Sequence, residues 1–234
     1  MALPKPSRPE YTTKIPSTDK SIKFQPFSVR EEKVLILASE SKDNDEISNA
    51  ITNVLESCVT SPGFKVRDLA LFDIEYLFLK ARAKSVGEKL EVIVNDPGDP
   101  TYSTTHEIDV DKIQVQKNKD HKDLIQLTDD THIKMKYPGI DFFVEGVKLE
   151  NITDRLDLAA ECVQQIVIGE EVYNREDMSV AEIQEWIEGL TSVQFNKVME
   201  FFITMPRLSH KFTLTNPNTK KKFAIELEGL ADFF

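Results

Sequence analysis

The sequence predicts an α+β chain in which helical N- and C-terminal segments surround a small antiparallel β module, with a hairpin near each end. Three observations carry that prediction. Hydrophobic residues recur at helical spacing up to Ser85, switch to a period of two at Gly87, and return to helical spacing after Tyr137-Pro138-Gly139. Acidic or hydroxyl residues followed three positions later by Glu open several of the helical runs. Alternating runs flank turn residues at residues 16–20 and again at residues 216–218. The expected divisions are a flexible arm (1–10), a hairpin with three helices (11–86), a β module (87–137), and C-terminal helices with a hairpin and an aromatic tail (138–234).

The arm carries three prolines and no periodicity, so order there is expected only where a partner supplies it. The runs YTTKI and SIKFQPF flank Pro16-Ser17-Thr18-Asp19-Lys20 as a short hairpin, with Pro26 at a strand end. Ser28 with Glu31 opens the helix VREEKVLILASES, and Asp43 with Glu46 opens a second helix whose stripe is Ile47, Ala50, Ile51, Val54 and Leu55. The central stretch DLALFDIEYLFLKARAKS, residues 68–85, reads as a helix buried on two sides. At about 100° per residue, Leu69, Phe72, Tyr76 and Leu79 share one face and Ala70, Ile74, Leu77, Phe78 and Ala81 another. Asp73, Lys80 and Lys84 then form one narrow polar seam and Glu75 with Arg82 the other.

In the β module, Leu90, Val92 and Val94 alternate up to the turn NDPGDP, and a second alternating run extends from Tyr102 to Val110 with Ile113 and Val115 beyond it. A further hairpin turns at Asp129-Asp130. Thr153 or Asp154 is expected to cap a helix over LDLAAECVQQIVI. Ser179 with Glu182 opens VAEIQEWIEGL, and Thr191 starts TSVQFNKVMEFFITM, stopped by Pro206. The last hairpin alternates at Phe223, Ile225 and Leu227 and precedes Ala231-Asp232-Phe233-Phe234.

Composition narrows the function classes. A net charge of -11 repels nucleic acid and anionic membranes, and the one basic run, Lys220-Lys221-Lys222, follows turn residues. Two cysteines, Cys58 and Cys162, both in apolar helix-like settings, are expected to be reduced core thiols. No run reaches the ~18 apolar residues of a membrane span and the N-terminus lacks the order of a signal peptide, so a soluble, cytoplasmically made protein is expected.

Asp129, Asp130 and His132, and separately Asp96 with Asp99, read as turns rather than metal ligands. No nucleophile elbow or phosphate loop is present, and neither cysteine has a His or cationic neighbour to lower its pKa. No catalytic, metal or cofactor-binding residues, no cofactor and no small-molecule substrate are therefore expected. The candidate partner-binding residues are Trp186, Phe233 and Phe234. Trp186 also fits a helical core, whereas two phenyl rings at the chain end fit docking into a groove, in cis or on a partner.

Four stretches taken in order carry a resemblance: Ile15-Pro16-Ser17-Thr18, FQPFSVREEKVLILASES, DLALFDIEYLFLKARAKSVGE and the terminal GLADFF. Together they resemble the baseplate hub and hub-assembly proteins of T-even-like contractile-tailed phages and their marine cyanophage relatives. That resemblance implies a non-enzymatic protein that helps build the baseplate hub through contacts with other phage baseplate proteins in the host cytoplasm, either as a subunit kept in the virion or as an assembly chaperone that leaves it, with an enzyme whose site is assembled from distant residues as the remaining alternative. Relatives in that family include chains with a cysteine pair in the first hairpin of the β module. Here the loop is NDPGDP, so no metal-ribbon role carries over.

Overall fold

The computed structural model describes residues 6–142 and 151–230, which form an α+β fold divided into two compact units. The first comprises Met1–Gln116 with Arg207–Phe234, and the second Lys117–Pro206.

The first unit begins with hairpin β1 (Tyr11–Lys14) and β2 (Ser21–Phe24), then helices α1 (Val29–Ser41), α2 (Asn44–Cys58) and α3 (Leu71–Ser85). Strands β3 (Lys89–Asp96) and β4 (Asp99–Asp109) pair antiparallel, and β5 (Gln114–Gln116) follows. From beyond the second unit come β10 (Arg207–Thr215) and β11 (Lys222–Glu228), giving a sheet ordered β11-β10-β5.

Helix α3 is the centre of this unit. None of its residues is exposed, and Ile74, Leu77 and Ala81 are wholly buried. It packs against α2 on one side and against β5 and β10 on another, while the Ser17 N–H of the first hairpin donates to Asp73 Oδ1 at 2.9 Å. The expected two-sided burial is present, with two differences. The helix starts at Leu71, after a 3-10 turn over Val66–Asp68, so Leu69 precedes it and is only half-buried. Asp73 and Glu75, expected on polar seams, are buried because backbone N–H groups from distant segments reach them.

Hairpin β3–β4 presents Leu90, Val92 and Val94 inward, where its side chains meet those of β10–β11. His106 stacks on Phe212 at 4.5 Å, and Tyr102 meets Phe223 edge-on at 6.3 Å. Wholly buried Asn216 ties the two hairpin ends by donating to Asp96 Oδ2 at 2.8 Å and Asp99 Oδ2 at 3.1 Å.

The second unit is a sheet ordered β6-β7-β8-β9, from β6 (Leu124–Gln126), β7 (Thr131–Met135), β8 (Val163–Ile168) and β9 (Glu171–Asn174), with helices α4 (Ile152–Cys162), α5 (Val180–Glu188) and α6 (Ser192–Thr204). Its core includes Ile133, Met135, Ala159, Ile183, Val198 and Phe202. Asn151, rather than Thr153 or Asp154, caps α4 by accepting the Asp154 N–H at 2.8 Å.

Two sequence expectations change. The run VQQIVI does not extend α4: β-branched residues and the turn at Gly169, whose φ is +60°, make it strand β8, paired with β7 and β9. Residues 87–137 are not one β module. Their strands are shared among three sheets, because β5 pairs with β10 and β6–β7 pair onward to β8. The C-terminal hairpin accordingly belongs with the N-terminal helices. Gln116 and Arg207, where the chain leaves and re-enters the first unit, are paired partners in β5–β10.

Candidate functional site

The thiols and the turn aspartates Asp99 and Asp130 have structural surroundings. Cys58 and Cys162 are buried free thiols, and burial pushes them up to about 11 and about 12, so neither is a ready thiolate. Asp130 accepts from the Thr128 and Thr131 hydroxyls at 2.7 and 3.2 Å within its turn, and Asp99 accepts from Thr101. Among the described residues no group of three or more His, Cys, Asp or Glu side chains could hold a metal ion, and no helix is long and apolar enough to cross a membrane. His121 stacks on Tyr137 and meets Phe201 at a tilt, those two rings also stacking on each other, with Nδ1 3.0 Å from the Thr204 hydroxyl and Nε2 buried without a partner among the described residues. Burial lowers its pKa and favours the neutral ring.

The surface offers contact area instead. In the first unit, α1 opens where the Ser28 N–H donates to Glu31. Glu31 also accepts from the Ser57 hydroxyl and from Arg8 Nη1 at 2.9 Å. Burial raises the Glu31 pKa, but the Ser28 N–H, the Ser57 and Ser28 hydroxyls and Arg8 outweigh it and hold the carboxyl below its ordinary value.

Arg8 donates as well to Pro26 O at 2.9 Å, and Glu10 pairs with Lys23 at 2.8 Å. The expected flexible arm is therefore held in cis from Arg8 onward by these polar contacts, and residues 1–5 lie outside the described part.

With Glu31, Leu35 and Ala38 turned inward, the rest of the apolar run on α1 is left outside. Val29 is 80% exposed, Val34 44%, Ile36 52% and Leu37 54%, on a helix with one buried residue, Ala38. A helix apolar on all sides is ordinarily covered on all sides. This face was missed from the sequence, although the uninterrupted run Val34-Leu35-Ile36-Leu37 signals it: four consecutive helical positions cannot share one face.

Of the sequence-derived candidates, Trp186 on α5 is half-buried and packs against the core of the second unit. Phe233 and Phe234 lie outside the described residues. The backbone leading to them is described. Gly229 adopts φ +65°, an added Cβ there would lie 2.9 Å from Glu75 Oε1, and the buried Leu230 donates its N–H to that oxygen at 3.2 Å. The second unit exposes Val172 and Tyr173 on its edge strand β9 and Val193 and Ile203 on α6.

No curated protein and no solved structure matches the chain. A family model described as T4 bacteriophage base plate protein matches residues 8–234, nearly its whole length. A chain with uncovered apolar helix surface among its described residues thus matches, over nearly its whole length, a family of bacteriophage base plate proteins. The protein belongs to the T4 bacteriophage base plate protein family.

Proposed function

We propose that this baseplate protein works at the central hub of a contractile tail, as a hub subunit or hub-assembly factor, without enzymatic activity and through contacts with other baseplate proteins. The observation that carries the reading is the family match over residues 8–234 combined with the uncovered apolar surface of α1, which suits a component that fits into a larger assembly. In this reading Phe233 and Phe234 are the docking handle and Trp186 adds aromatic contact surface. Host cytoplasm is the place of assembly, and nucleic acid, membrane and small-molecule substrates play no part.

Deleting the gene from its phage and complementing it with chains ending at Leu230 tests this. Full-length chain should restore hubs. The truncated chain should fold with an unchanged melting curve yet leave hubs incomplete. Normal hubs from the deletion phage would overturn the hub role. Mass spectrometry of purified mature tails separates the two forms of the proposal, a retained subunit being present and an assembly factor that leaves being absent.

A further inference from the structure

We infer that the outward face of α1 pairs with α1 of a second copy of this chain, antiparallel about a twofold axis between Ile36 and Leu37. At about 100° per residue, Val29, Lys33, Ile36, Leu37 and Glu40 fall on the side of α1 opposite Leu35 and Ala38, and all five are exposed. The order of charges on this strip specifies the occupant. Under a twofold axis, if residue i meets residue j, then j meets i. Lys33 and Glu40 lie equally far from the axis, about 5 Å along a helix rising 1.5 Å per residue, so each Lys33 faces Glu40 of the other copy, twice over. Ile36 then meets Leu37 of the other copy, twice, at the centre, and Val29 adds an apolar side chain toward either end.

Neither Lys33 nor Glu40 has an ion pair among the described residues, so both are free to pair across the axis. At interaxial distances of about 8–10 Å, and over the usual crossing angles, both side chains are long enough to meet. The chain as a whole, at -11, repels its own copies. The outward face of α1, with Arg30, Lys33 and Glu40, carries no acidic excess, so it is a place where two copies can approach. A separate partner would need the same alternation of base, apolar pair and acid in reverse order, which a second α1 already has.

A contact of one helix face lies below the size of a standard interface, so the pairing should depend on concentration. Sedimentation of the purified full-length chain should show its mass rising from 26.7 kDa toward twice that value between about 1 and 100 μM. K33E and E40K should each raise the midpoint about ten-fold or more, since each replaces attraction by repulsion at two places. Mixing the two variants, or combining both changes in one chain, should restore it. Ile36→Arg should abolish pairing with the melting curve unchanged, the position being exposed. A monomer at 100 μM would overturn the inference and leave the face to a different baseplate protein. A dimer insensitive to all of these changes would overturn it too, by placing the contact elsewhere. Because purified chain is used, either result is independent of the hub role, which is read in infected cells.

Discussion

Helices α1 and α3 stand in the same unit and both carry apolar residues on more than one side, yet α3 has no exposed residue while α1 exposes four large aliphatic side chains. The difference lies in what the rest of the chain supplies. Around α3 it supplies α2, the first hairpin, the β5–β10 strands and the backbone of Leu230. Around α1 it supplies α2, Arg8 and Ser57, all on one side. Among the described residues, nothing covers the outer side of α1 as α2, β5 and β10 cover α3.

The largest test of that contrast is a core truncation. Leu77→Ala or Phe72→Ala on α3 should cost about 2 to 5 kcal/mol, read as a lowered urea midpoint. Equal stability of wild type and both variants would refute a helix covered on two sides.

Next come the carboxyls of the two helices, whose pH responses should have opposite signs. Burial raises Glu75 to about 7, partly countered by the Leu230 N–H. Between its ordinary value of 4.5 and about 7, the folded protein therefore binds more protons than the unfolded one, and stability falls as pH rises across that window. The effect is on the order of 3 kcal/mol, and Glu75→Gln should remove it.

Glu31 is held below its ordinary value, so its contribution is present above the usual carboxylate range and is lost as pH falls through the depressed pKa. Glu31→Ala should cost about 1.5 to 3 kcal/mol at neutral pH and flatten the acid limb of the stability curve. Matching slopes for the two variants would break the contrast.

The smallest expected effect is the most telling. Ile36→Ser and Leu37→Ser should change monomer stability by no more than about 0.5 kcal/mol, measured in dilute solution. A loss of several kcal/mol would mean that the α1 face is covered in cis.

What was legible in the sequence was local. Ser28 with Glu31, Asp43 with Glu46, Ser179 with Glu182 and Thr191 all mark helix starts that the structure has, since a cap and its partner lie within one turn. What depends on remote partners was not. Val163–Ile168 carries apolar residues at spacings that suit helix or strand, and pairing with β7 and β9 decides. Nothing near Val115 announces that its strand joins one from the far end of the chain. Glu75 looks like a surface residue until Leu230 arrives above it. The candidate site was legible in composition but not in place: the aromatic Trp186 drew notice, while the exposed face of α1 was concealed inside a helix whose cap was correctly read.

The pairing of Gln116 with Arg207 also sets a timetable. A ribosome adds about 5–20 residues per second, so after β5 emerges, roughly 5 to 20 seconds pass while the second unit is made. During that interval the inner side of β3–β4 and one flank of α3 wait for β10–β11. A second unit that folds promptly brings its two ends together and shortens the span over which β10 must search for β5. Folding of the second unit thereby eases completion of the first, and a lesion confined to residues 117–206 should delay closure of a sheet to which that segment contributes no strand.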